Sequence, residues 1–101
     1  MNYTVLFLPE IEDDLADIYK WYENKSEGLG EDFLKIFYEK SVVLAQNPLI
    51  YQKVFLNFRR VLLKRFPYSV YYLIDKSSVI IYAVFHISRD PKIIKDNLDK
   101  R

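Results

Sequence analysis

The stretch Arg59 to Pro91, RRVLLKRFPYSVYYLIDKSSVIIYAVFHISRDP, constrains the fold of this chain more than any other. It reads as three consecutive strands, Arg60–Phe66, Ser69–Asp75 and Val79–Ile87. Pro67-Tyr68 marks the first turn between them, and Asp75-Lys76-Ser77-Ser78 suits a polar hairpin loop. Val79–Ile87 is the most apolar of the three and is expected to lie centrally in a sheet. Ahead of them, Gln52–Leu56 reads as a weaker strand.

The first half of the chain has a different period. Tyr3, Val5 and Phe7 alternate with Thr4, Leu6 and Leu8, a short strand whose two apolar faces predict cover on both sides. Pro9 and the acids Glu10, Glu12, Asp13 and Asp14 suit the start of a helix. Ile11, Leu15, Ile18 and Tyr22 then form one helical stripe. Asn24–Gly30, with Ser26, Gly28 and Gly30, is read as a turn. A second helix carries Phe33, Ile36, Phe37 and either Val43 or Leu44 on one face, and Asn47-Pro48 stops it. At the far end, Asp90 and Pro91 suit the N-cap and first position of a short helix running through Leu98.

The expected class is therefore α+β. An N-terminal strand and a helical hairpin pack on a mostly antiparallel sheet of about four strands, with a short C-terminal helix, in the order β-α-α-β-β-β-α. A length of 101 residues supports one core rather than two, so one domain spanning 1–101 is expected.

Composition removes several function classes. There is no cysteine and a single histidine, so no thiolate metal site or disulfide framework can form, and no metal is expected. Two glycines are too few for a phosphate-cradling loop. Ser69, Ser77, Ser78 and Ser88 occupy ordinary hairpin positions rather than the strained turn of a nucleophile. The N-terminus has no charged region followed by a long apolar one, so no secretory signal is expected. No apolar run approaches the roughly 20 residues needed to span a bilayer, so no membrane association is expected. The reading is a soluble, cytoplasmic protein.

Charge is divided along the chain. Residues 1–50 hold ten acids against four lysines, a net −6, and residues 51–101 hold eleven bases against four acids, a net +7. Such a split suits an anionic partner for the second half, or an acidic helical layer balancing a basic sheet from within. Arg60, Lys64 and Phe66 are expected on one face of their strand, with Arg65 on the other beside Val61 and Leu63, and Arg59 at the strand entrance. Arg89 leaves the end of the adjacent or next-but-one strand and could converge with Arg60 and Lys64, pair with a nearby acid such as Asp90, or cap a helix. Clustered arginines favour phosphate or carboxylate. His86 could act as a general acid or base, or sit satisfied at a strand end. Tyr68, Tyr71, Tyr72 and Tyr82 could stack on bases or pack the sheet. Trp21 and Tyr22 could be core or a patch that grips a partner.

Four segments, LPEIEDDLADIYKWYE, AQNPLIY, RRVLLKRFPYSVYYLID and AVFHISRDP, together give the chain a familiar order and spacing over nearly its whole length. In these the chain resembles the RelE/ParE superfamily of toxins from type II toxin–antitoxin modules, and most of all its ParE-like, plasmid-stabilisation branch. The resemblance implies the same β-α-α-β-β-β fold. For ribosome-dependent messenger-RNA nucleases of the family it implies catalysis without a cofactor or metal, by basic residues on the sheet that hold the phosphate while the RNA's own 2′-hydroxyl attacks. Carried over, that role falls to Arg60, Lys64, His86 and Arg89. The position after Tyr68, often arginine in the nucleases, is Ser69 here. The position two after Arg60 is Leu62, and Lys95 stands near where a tyrosine is expected. The ParE-like branch lacks the nuclease set and poisons DNA gyrase by protein–protein contact, which implies no catalytic residue. A third implication is a member without toxicity that persists as a binding module. In every case the resemblance implies a small antitoxin with a partly disordered, acidic segment. Arg59, Arg60, Lys64, Arg65 and Arg89 are the residues expected to meet a partner. Direct DNA binding by this chain is not expected.

Overall fold

Residues 2–101 are described by a computed structural model. Strand β1 (Thr4–Phe7) leads to Pro9, whose φ of −54° opens helix α1 (Glu10–Lys25). Glu10, Glu12 and Asp13 occupy its first turn, where carboxylates meet the positive end of the helix dipole. Ile11, Leu15, Ile18 and Tyr22 are its buried stripe, as their spacing predicts.

The connection to helix α2 (Leu29–Gln46) is tighter than the sequence suggested. Gly28, at φ +84°, turns the chain in a conformation that residues with a Cβ rarely adopt. Gly30 is not part of the turn but lies buried in the first turn of α2. It sits there because α1 passes so close: a Cβ at Gly30 would come within 2.7 Å of the Tyr19 carbonyl oxygen and 2.8 Å of Glu23 Cγ. The Glu23 carboxylate accepts from the backbone N–H of Gly30 at 2.8 Å and of Gly28 at 3.2 Å. One side chain at the end of α1 thus satisfies amides that the start of α2 leaves free.

Phe33, Phe37 and Leu44 bury the inner face of α2, so Leu44 and not Val43 continues the stripe. Ile36 is only half-buried. Asn47 ends the helix, and Pro48–Ile50 forms a 3-10 turn. Strands β2 (Lys53–Phe55), β3 (Phe58–Leu62), β4 (Tyr68–Asp75) and β5 (Ser78–His86) follow, and helix α3 (Pro91–Lys100) ends the described fold. The Asp90 side chain accepts from Lys92 N–H at 2.9 Å, so Asp90 caps α3 as its sequence context predicts.

The strands form one sheet in the order β1-β5-β4-β3-β2. Only β1 pairs in parallel, with β5, and the other neighbours are antiparallel. The weak strand at Gln52–Leu56 is real but short, so the sheet has five strands. The α1–α2 hairpin covers one face and meets Val61, Val70, Tyr72, Val79, Ile81 and Val84. Helix α3 covers the other through Ile94 and Leu98, against Phe58, Tyr71, Ala83 and Phe85. This two-sided cover explains why β4 and β5 are apolar at almost every position. A bulge at Tyr82 lets Tyr71 pair with Ala83 and Tyr72 with Ile81, and so turns Tyr82 and Ala83 to the same face.

Two expectations fail. β1 is not covered on both sides: it is an edge strand, with Leu6 47% and Phe7 41% exposed. Helix α3 packs over β3, β4 and β5 and leaves the margin of that face open. The strand read as Arg60–Phe66 begins at Phe58 and stops at Leu62. Beyond it Arg65 adopts φ +68°, which breaks the alternation and returns Phe66 to the core beside Val61 and Leu63. Phe66 therefore does not share a face with Arg60, and Lys64 is exposed on the connection between β3 and β4.

Tyr72 joins the sheet to the 3-10 turn. It is fully buried, and its hydroxyl donates to the Pro48 carbonyl at 2.6 Å. Burial pushes this phenol up to about 12, with the Arg59 guanidinium offsetting part of the effect. A folded-state pKa raised above the unfolded value means that the neutral phenol stabilises the fold. That contribution, on the order of 2 kcal/mol, is full below pH ~10 and is lost as the pH rises from there through the folded value. Tyr72→Phe should lower stability by about 1–2 kcal/mol at neutral pH, because the buried Pro48 carbonyl loses its donor. The variant should also unfold less steeply in alkali. Denaturant titrations of both proteins at pH 8 and pH 11 check this, and parallel losses would refute it.

Candidate functional site

Arg60 lies on β3 opposite Tyr71 of β4, so its side chain emerges on the α3 side of the sheet. Arg89 follows β5, where its backbone N–H donates to the His86 carbonyl at 3.0 Å. Its guanidinium sits 5.2 Å from the Phe85 ring centroid, within cation–π range. The two arginines line one cleft of about 130 Å³ with Val54, Phe55, Tyr71 and Lys95. Lys95 comes from α3 and lies 5.7 Å from the Phe55 ring.

Among the described residues, no carboxylate lines this cleft. Among the described residues the ion pairs are Arg65–Asp32 and Arg101–Asp14, so Arg60, Arg89 and Lys95 keep their charges available. Asp90 does not neutralise Arg89, because its carboxylate faces the start of α3. Paired guanidiniums with no counter-charge suit a carboxylate or phosphate held by a fork of N–H groups. Sequence reasoning did not place Lys95 with them. The signal was there, since Pro91, Ile94 and Lys95 fall on one face of a short helix.

The other predicted residues go elsewhere. Arg59 lies within β3, not at its entrance, and pairs with Tyr72. Its guanidinium is spent inside the fold, donating to the carbonyls of Tyr51 at 2.6 Å and Leu49 at 3.3 Å. Arg65 reaches Asp32 of α2 at 3.6 Å and covers the Phe66 ring. Lys64 lines neither this cleft nor the next.

His86 belongs to a second cleft, of about 410 Å³, on the helical-hairpin side of the sheet. Asp17, Ile18, Trp21 and Tyr22 of α1 line it, with Pro67 and Tyr68. Ser88 N–H donates to His86 Nδ1 at 3.1 Å, and Ser88 Oγ lies 2.7 Å from the same nitrogen. A ring nitrogen that accepts from a backbone amide carries no proton, so the neutral ring carries its proton on Nε2. Burial raises the phenols of Tyr22 and Tyr68 above their usual range. Of the four tyrosines that could stack on bases, Tyr71 and Tyr72 are buried and Tyr68 and Tyr82 half-buried, so they pack the sheet. Trp21 and Tyr22 divide: Tyr22 is core and Trp21 is 55% exposed.

The structure thus brings Arg60 and Arg89 together, adds Lys95, and places His86 and Lys64 apart from them. The fold is similar to solved toxin structures. A chain from the chromosomal ParDE toxin–antitoxin system of P. aeruginosa superimposes with a TM-score of 0.76 at 16% identity, covering 83% of this chain and 95% of that one. A free-state mutant of the E. coli toxin RelE, with two arginines changed to alanine, gives 0.60 at 14% identity, covering 99% and 98%. A search of curated protein sequences gives no match. The family described as ParE toxin of type II toxin-antitoxin system, parDE, matches residues 5–91. With the helical hairpin, β2 to β5 and all but the first residue of β1 inside that match, this chain belongs to the ParE toxin family of type II toxin–antitoxin systems.

Proposed function

We propose that this toxin arrests growth by poisoning DNA gyrase through a protein–protein contact, in the cytoplasm, and that a small antitoxin holds it inactive. The observation that carries this reading is the separation of His86 from the Arg60–Arg89 cleft by the thickness of the sheet. Cleaving RNA without a metal requires three functions at one point. The phosphate must be held, the 2′-hydroxyl deprotonated and the leaving oxygen protonated. Arg60, Arg89 and Lys95 can hold a phosphate, but the titratable groups lining their cleft are these cations and buried Tyr71. Ser69, where the nucleases often carry arginine, is fully buried. A contact poison needs none of these groups to converge.

The antitoxin reading rests on the ParDE relative and on the unpaired cations of the cleft, which suit an acidic segment that folds on binding. A metal-independent ribonuclease acting on the ribosome is the second reading, favoured by the convergence of Arg60 with Arg89. Pulse labelling after induction in a bacterial host separates them. DNA synthesis is expected to stop before protein synthesis. Translation stopping first would overturn the gyrase reading, and undisturbed growth would leave a binding module without toxicity.

A further inference from the structure

The cleft around His86 has the chemistry of a cation receptor, and the gyrase reading does not use it. Its wall is a chain of four rings. Trp21 meets Tyr22 edge-on at 5.1 Å, Tyr22 meets Tyr68 at 6.2 Å, and Tyr68 meets His86 at 5.3 Å. Each pair is steeply inclined, at 90°, 69° and 79°, so faces and edges alternate around the opening. Asp17, one helical turn before Trp21 on α1, supplies the carboxylate at the rim. Asp17 makes no ion pair among the described residues. Trp21 is more than half exposed, so core packing does not explain it.

The Trp21 indole already meets one cation of its own helix, outside the lining of the cleft. Lys25, one turn further along α1, holds its Nζ 4.6 Å from the Trp21 ring centroid. We propose that the cleft formed by Asp17, Trp21, Tyr22, Tyr68 and His86 binds an arginine side chain presented by a partner protein. Charge complementarity names the occupant: the cleft opens on α1, whose half of the chain carries a net −6, and a carboxylate lies beside aromatic faces. A guanidinium fits this pairing better than an ammonium. It is planar, stacks on a ring and offers a carboxylate two parallel N–H groups. The site is separate from the Arg60–Arg89 cleft and does not depend on which target the toxin poisons.

Trp21 is the one tryptophan of the chain, so its fluorescence reports on this cleft alone. Short blocked peptides carrying one central arginine, lysine or citrulline would be titrated into the full chain. The arginine peptide should give a saturable change with a dissociation constant of about 1 mM or weaker, as expected for one side chain on an exposed site. Citrulline, which keeps the shape and loses the charge, should bind at least about tenfold more weakly, and lysine should fall between them. Asp17→Asn, on an exposed helix face, should weaken the arginine peptide by about tenfold with an unchanged circular-dichroism spectrum. A response to citrulline equal to that of arginine overturns the proposal. So does an unchanged affinity in Asp17→Asn, or a lysine peptide that binds as tightly as arginine.

Discussion

Gly30→Ala is expected to destabilise this protein by about 2–3 kcal/mol, lowering its melting temperature by roughly 10–20 °C. The direction opposes helix propensity, because alanine is favoured over glycine inside a helix by about 1 kcal/mol. Gly30 lies in the first turn of α2, so propensity alone would predict stabilisation. Proximity decides otherwise. The new Cβ would meet the Tyr19 carbonyl oxygen and Cδ2 at 2.7 Å each. A side chain can rotate away from such a contact, but a helix carbonyl cannot. The hairpin must open, and opening it also draws the Glu23 carboxylate off the amides of Gly28 and Gly30. Gly28→Ala is the control. Nothing lies within 4 Å of its Cβ position, and the cost is only that of φ +84°, about 1 kcal/mol. Thermal unfolding of the three proteins checks the order. A Gly30→Ala protein melting at or above the parent temperature would show that the helices do not approach this closely.

Replacing Arg60 and Arg89 together by alanine is expected to weaken antitoxin binding by about 3 kcal/mol, roughly 100-fold. Both side chains are exposed and make no ion pair among the described residues, so the fold should be untouched. The binding that remains should also be less sensitive to salt than that of the parent complex, since the removed contacts are the charged ones. Arg59→Ala makes a useful contrast. Its guanidinium holds the carbonyls of Tyr51 and Leu49, so it should lower stability rather than affinity alone. Calorimetric titration of the antitoxin at two salt concentrations, beside the melting temperatures, distinguishes the two effects. Full affinity in the double variant would remove the cleft from the antitoxin surface. It would leave the arginine-accepting cleft around Trp21 unaffected.

The helical hairpin, the β4–β5 hairpin and the Asp90 cap were legible from residue order alone, and each rests on local physics. Ile11, Leu15, Ile18 and Tyr22 make a stripe wherever the chain is helical. Pro91 opens a helix because its φ is already set and its missing N–H is not needed there. The nearly continuous apolar run through β4 and β5 needs only burial on two faces. The charge split between the two halves, too, is written in the sequence.

Where those charges point was decided by tertiary structure. Four cations, Arg59, Arg60, Lys64 and Arg65, lie within seven residues, and the fold sends them to four places. β3 stops at Leu62, short of Lys64, and one positive φ at Arg65 returned Phe66 to the core instead of leaving it beside Arg60. Carbonyls at the 3-10 turn, eight and ten residues earlier, captured Arg59. The approach of α1 at Gly30, the edge position of β1, and the sheet that separates His86 from Arg89 arise the same way. Each depends on which surfaces meet in the folded chain, and no local periodicity encodes that.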